Sequence, residues 1–448
     1  MEEDAVRPDL LRRRLVQGAV WAVAAPMACI VAPSVKARPL SPESRSLWRA
    51  CSRLGYGPNE EWLTSLEGVR DWRAWAQDQI EAALQSSRQS ARIDEALAEF
   101  AAPLPDLFAA ARTEREVRRQ LADTGELMPL RRAAADALRR LDFSAIGHPA
   151  FFSQRVRLKA ATWWLGACSD PALEHPLLAR MTEFWFNHFN VFAGKGAVQP
   201  FVGHYLVHAI RAHALGRFDE LLLATARHPA MLFYLDQAQS VAEGGLTAAG
   251  RMRGLNENYA REVMELHTLG VAGGYDQSDV RALARVLTGW TVAPESAEGF
   301  RFAPRLHDAG DKMVLGLQYP RKGVEAGEAE GIAALRDLAR RPATAQRIAL
   351  RLARYFVADA PPTALVERLK RRFLESDGDI AATLGLLLTS DEFWHAGPGL
   401  FRTPLDYACL LLNVLRAGQD RRALRLSLDF LEDAGQPLFG WPTPDGYP

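Results

Sequence analysis

Apolar residues recur at helical spacing along most of this chain. Between Gln277 and Trp290 the apolar positions are Val280, Leu283, Ala284, Leu287 and Trp290, three and four residues apart. That stripe predicts one buried helix face, and Ser278 stands where an N-cap belongs. The same texture predicts helices over 42–54, 68–98, 106–122, 129–141, 257–269 and 342–356. Their ends carry the expected punctuation. Ser41-Pro42 joins a cap to a proline at the first helical position, and Gly55-Tyr56-Gly57-Pro58 stops that helix. Asn59 can cap the next helix, His228 before Pro229 reads as another cap, and Asp377-Gly378-Asp379 turns the chain into a further helix. One region departs from the pattern. Phe300-Arg301-Phe302 alternates, and Met313-Val314-Leu315-Gly316 can pair back with it. The fold class is therefore all-α, mostly helical, with one small β-hairpin near 299–316.

The first forty residues follow a different plan. Arg12-Arg13-Arg14 precedes an uncharged stretch from Leu15 to Val35, and Val35-Lys36-Ala37 is a small-residue exit. This is the layout of an export signal over 1–37. Arg12-Arg13-x-Leu15-Val16 also fits a twin-arginine pattern. The expected location is periplasmic or extracellular. The alternative is a membrane anchor formed by an uncleaved N-terminal segment, which Gln17, Gly18, Pro26 and Pro33 weaken. Beyond it, 38–170 reads as an N-terminal helical layer rich in Ala, Leu and Arg. Residues 171–448 read as a helical core in which aromatics and histidines cluster.

Charge narrows the function classes. The 448 residues hold 54 basic and 54 acidic side chains. A cut after Ala37 leaves 49 and 50, a charge of −1. A nucleic-acid partner needs a basic face to displace counterions, so none is expected. The four cysteines, at 29, 51, 168 and 409, form no Cys-x-x-Cys pair. Three remain after the cut, so at least one should be a free thiol. Gly-x-Ser-x-Gly, His-Glu-x-x-His and Gly-x-Gly-x-x-Gly do not occur, which removes the standard signatures of nucleophilic, zinc and dinucleotide chemistry.

Three segments carry candidate chemistry. Glu262, Glu265 and His267 lie within six residues and invite a metal reading. On an unbroken helix, at about 100° per residue, His267 falls on the apolar face with Tyr259, Val263 and Leu266. Glu262 and Glu265 point away with Asn258 and Arg261. All three cannot reach one ion, but the two carboxylates can act as acid and base or ligate a hard cation. No cofactor is predicted from this, although a divalent metal fits the donor type. Asn187-His188 sits inside the aromatic run from Phe184-Trp185-Phe186 to Phe189, and a polar pair there needs partners. His307-Asp308, with Lys312, lies on the loop between the strand segments and can hold an anion or a water. The catalytic candidates are Glu262, Glu265 and His188. The binding candidates are Asn187, Asn258, Arg261, His307, Asp308 and Lys312. Against each stands a structural role: a solvated helix face, a core histidine, or a polar loop. The expected pocket joins the 184–189 helix, the 256–270 helix and the 307–312 loop.

The run from Asn256 through Tyr259, Glu262, Glu265 and His267 to Gly270 resembles the bacterial Domain of Unknown Function 1800 family. Supporting matches are Ala284-Arg285-Val286-Leu287-Thr288-Gly289-Trp290, Phe184-Trp185-x-Asn187-His188-Phe189, His228-Pro229 and Pro444-Asp445-Gly446-Tyr447-Pro448. The resemblance reaches from about residue 45 to the end. It implies an exported protein and supplies no activity. It also implies a possible partner, because members are often encoded beside a second exported family, Domain of Unknown Function 1501. The expected role is binding or assembly with such a partner. The alternative is an exported hydrolase using Glu262 or Glu265 with a histidine or a bound metal.

Overall fold

The Phe152–Ser169 helix is buried on all sides, with only Gln154 and Arg157 partly open to solvent. Its sequence is apolar around the whole circumference, with Val156, Ala160, Ala161, Trp163, Trp164 and Leu165 on successive faces. Such a helix must be covered all round. It packs on the Leu104–Asp123, Pro176–His188, Pro404–Leu415 and Arg421–Asp433 helices. A computed structural model describes residues 42–58, 60–66, 68–244, 254–320, 327–397 and 400–447. The export signal read over 1–37 lies outside the described residues, with its twin-arginine pattern and Cys29. So do the caps read at Ser41 and Asn59, and Pro448.

One hydrophobic core runs from Leu47 to Phe439, so regions 38–170 and 171–448 share their interior. A small satellite core holds Ala134, Ala137, Ile146 and Phe151. Cys51, Cys168 and Cys409 are buried free thiols, and burial pushes the Cys51 thiol up to about 12. Among the described residues no helix is long and apolar enough to cross a membrane.

Local chemistry sets the helix ends. Proline occupies the first turn of the Pro176–His188, Pro229–Tyr234, Pro342–Phe356 and Pro404–Leu415 helices. His228 caps as expected, its Nδ1 accepting from Ala230 N at 3.1 Å. Asp379 does likewise for Ala382 N at 2.7 Å. Ser278 does not cap the next helix. Asp276 does, accepting from Ser278 N and Asp279 N at 2.8 and 3.0 Å. A carboxylate two residues earlier reaches both orphan amides, whereas the Ser278 hydroxyl donates to Asp276. The helix read over 68–98 is shorter, Trp72–Ser87. Ser87 Oγ donates to Leu84 O at 2.8 Å, a bond that competes with continuing the helix.

The expected hairpin resolves into two. Trp290–Val292 pairs antiparallel with Phe300–Phe302, and Lys312–Val314 with Leu317–Tyr319. Phe300-Arg301-Phe302 therefore does not pair with Met313-Val314. Leu315 and Gly316 both have positive φ, at 51° and 77°. This gives the tight two-residue turn that folds the second strand back on its immediate neighbour.

Candidate functional site

The Pro176–His188 helix carries Arg180, Glu183 and Asn187, which share one face by their three- and four-residue spacing. Arg180 is buried and fully engaged. It donates to Gly55 O at 2.8 Å, to Ser52 O at 3.3 Å and to Glu183 at 3.2 Å, and pairs with Asp406 at 2.5 Å. Its guanidinium also lies 3.8 Å from the Tyr56 ring centre. Glu183 accepts from the Tyr56 and Tyr355 hydroxyls at 2.5 and 2.8 Å. Burial alone would lower the Arg180 guanidinium, but Asp406 and its other neighbours hold it above its ordinary range. Burial pushes the Glu183 carboxyl up, against the pull of Arg180. Asp406 is oriented by its own helix. With Thr403 it forms a capping box, Thr403 Oγ accepting from Asp406 N and Asp406 accepting from Thr403 N.

This network floors an open cavity of about 650 Å³. Phe184, Phe186 and Phe439 form apolar wall, and Arg53, Arg351 and Arg354 project among the lining residues. The chain's last described residues close one side. Asn187 clamps Tyr447, donating to its carbonyl at 3.0 Å and accepting from its amide at 2.6 Å. Asn190 donates to Trp441 O and Thr443 O at 3.1 and 2.8 Å. Gly446 sits under Asn187 at φ 77°, where a Cβ would lie 2.1 Å from the Asn187 carbonyl. Only glycine fits that approach.

Arg53 and Arg351 make no hydrogen bond or ion pair with any described residue. Burial lowers the Arg53 guanidinium to about 10, reinforced by Arg180, Arg49 and Arg402. Burial lowers Arg351 to about 10 as well, with Arg347 adding to it. Sequence reasoning stopped at the aromatic run and missed Arg180 and Glu183. The available signal was an Arg and a Glu three residues apart on a helix otherwise built of core residues.

This cavity does not join the three expected segments. Of the candidate residues on them, Asn187 lines the cavity, while His188, Asn258, Arg261, Glu262, Glu265, His307, Asp308 and Lys312 do not. His188 is 1% exposed, and its Nε2–H donates to the His267 carbonyl at 3.0 Å. That fixes Nδ1 as the bare nitrogen, and burial holds the ring well below the ordinary imidazole range. The 257–269 helix is not continuous. It is α-helical over Glu257–Glu262 and a π-turn over Val263–His267. The division of faces survives this change, with His267 buried and Glu262 and Glu265 half-exposed. Asn258 is exposed. Arg261 pairs with Glu265 at 3.5 Å and bonds Gln277 at 2.6 Å. Burial, then Glu265, pushes the Glu262 carboxyl up.

The 307–312 loop is bonded inward. Lys312 and Glu330 form a fully buried pair at 2.6 Å. His307 Nδ1–H donates to Thr288 O at 2.9 Å, and Arg285 holds Asp308 at 2.7 and 3.1 Å. A polar loop looked free in sequence because its partners lie outside it, Arg285 and Glu330 on neighbouring helices and Thr288 in the turn after the first of them. No hydrogen bond or ion pair joins Glu262 or Glu265 to a histidine among the described residues. Nor does any group of three His, Cys, Asp or Glu side chains there suit a metal ion.

The family model described as "Protein of unknown function (DUF1800)" matches residues 49–448. The chain belongs to the DUF1800 family. No curated protein and no solved structure matches it. The DUF1800 match covers every cavity-lining residue named above, including the Asn187 clamp and the closing Asp445-Gly446-Tyr447.

Proposed function

We propose that this DUF1800 protein is exported and works by binding, with the cavity above Arg180 as its site. The observation that carries the reading is the contrast between two places. The cavity holds guanidinium groups without partners among the described residues, beside apolar wall, at a volume suited to a ligand or an inserted side chain. The carboxylates Glu262 and Glu265 make no hydrogen bond or ion pair with a histidine among the described residues, so hydrolysis is not advanced. Export rests on the Arg12-Arg13-Arg14 run with its uncharged stretch, and on the family. The partner we propose is an exported protein of the Domain of Unknown Function 1501 family from the same organism.

Calorimetric titration of the two purified proteins tests this. A complex should form, and Leu400→Trp, at a half-buried wall position, should weaken it at least tenfold without lowering the melting temperature. No complex at tens of micromolar refutes the partner. A complex untouched by Leu400→Trp refutes the cavity.

A further inference from the structure

We infer that the cavity is built for an organic oxyanion, a carboxylate or phosphate ester carried on an apolar body. This rests on the cavity being the binding site. Three donor groups in its walls have no acceptor among the described residues. Arg53 and Arg351 are unpaired, as described above. Trp164 lines the same space, is 4% exposed, and its Nε1–H has no acceptor among the described residues.

The four lining carboxylates do not supply what is missing. Glu183 and Asp406 are committed to Arg180. Asp445 accepts from Thr443 Oγ1 and from Trp441 Nε1 through one oxygen, and its charge favours the Arg351 guanidinium without a hydrogen bond or ion pair to it. Asp359 stands exposed at the rim. A planar guanidinium presents a fork of N–H groups that matches two oxygens of a carboxylate or phosphate. The indole N–H adds a donor that accepts no cation. Phe184, Phe186 and Phe439 are buried wall, which suits the ligand's apolar body rather than a bare inorganic ion.

The probes are 3-phenylpropionate and phenyl phosphate, with 3-phenylpropionamide as the uncharged counterpart. A short peptide ending in a free phenylalanine carboxylate, and its amide, complete the set. Calorimetry and tryptophan fluorescence, which Trp164 makes sensitive to occupancy, read the binding. The anions should bind at least tenfold tighter than the amide. Arg53→Gln and Arg351→Gln should each weaken the anions at least tenfold and leave the amide unchanged. Arg351→Lys, which keeps the charge, should recover part of the loss, and melting curves confirm that each variant is folded. A free peptide carboxylate that outbinds the small anions identifies a chain terminus as the source, and the reverse order identifies a free small molecule. Both orders support the oxyanion class. Equal binding of acid and amide overturns it, as does no binding of either anion at millimolar concentration. Those failures leave the cavity reading to the Leu400→Trp titration, which does not depend on charge.

Discussion

Replacing Lys312 by Met should destabilise the protein without touching ligand binding. Lys312 Nζ lies 2.6 Å from Glu330 Oε1 and 3.4 Å from His307 Nε2, and both charged side chains are 0% exposed. Met keeps most of the lysine volume, so the cavity penalty is small. What remains is a carboxylate stranded in the interior, with His307 and the Gly327 amide, each at 3.4 Å, as its nearest support. Breaking a buried pair from one side costs about 3–5 kcal/mol. For a chain of this length the unfolding entropy converts that to roughly 3–5 °C in melting temperature.

The double variant Lys312→Met/Glu330→Leu removes both charges and should recover most of the loss, with a coupling energy of about 2–3 kcal/mol. Urea and thermal melts at pH 7, followed by circular dichroism, measure all three variants. The sign with pH is also set. Burial alone would raise the Glu330 carboxyl, but its bonds to His307 and Lys312 hold it below the usual carboxylate range. The pair's contribution is present above the unfolded carboxylate value, about 4.3, and is lost as pH falls through the lower folded one. A Lys312→Met protein of unchanged stability that no longer binds its ligand would refute this reasoning and restore the 307–312 loop as a binding site.

Three further outcomes follow from the same geometry. His175, His188, His204, His228 and His267 are held below the ordinary imidazole range by burial, His175 at about 4 and His204 and His267 at about 3. The unfolded chain takes up protons there and the folded chain does not. Stability should therefore fall as pH drops below about 6.5, by up to about 1.4 kcal/mol per histidine per pH unit, and urea midpoints at pH 7.5, 6.5 and 5.5 check it. Gly446→Ala should loosen the closing arm by about 1–3 kcal/mol, read as faster hydrogen exchange at the Tyr447 amide; Asn187→Ala should give the same pattern. Cys51, Cys168 and Cys409 should resist a thiol reagent in the native protein and all react in urea, because each is buried.

The helices were legible because their signals are local. Proline at first turns, His228 as a cap and the stripe from Val280 to Trp290 all act within one or two turns. The strand partners were not, because pairing depended on the two-residue turn at Leu315-Gly316, a feature of backbone φ rather than of alternation. Asn187 was found as a polar residue in an aromatic run, yet its partner Tyr447 is 260 residues away. His307, Asp308 and Lys312 were chosen as polar residues on a loop, and their neutralising partners lie outside it. Short-range pattern identifies a polar residue but not whether another segment has already satisfied it.

The arginines show the same limit, and they also order the site. Arg180, Arg53 and Arg351 are chemically identical, and apart from the glutamate three residues after Arg180 nothing in their local sequence separates them. Arg180 meets two carboxylates, two backbone carbonyls and an aromatic face, so it fixes the positions of Asp406, Glu183 and Tyr355 and has no capacity left for a ligand. Because it absorbs the lining carboxylates nearest to it, Arg53 is left facing only like-charged neighbours and a committed Asp406. Removing Arg180 would therefore do more than delete a buried charge. It would free Glu183 and Asp406 to turn on Arg53, and the donor surplus that suits the cavity to an anion would be spent inside the protein.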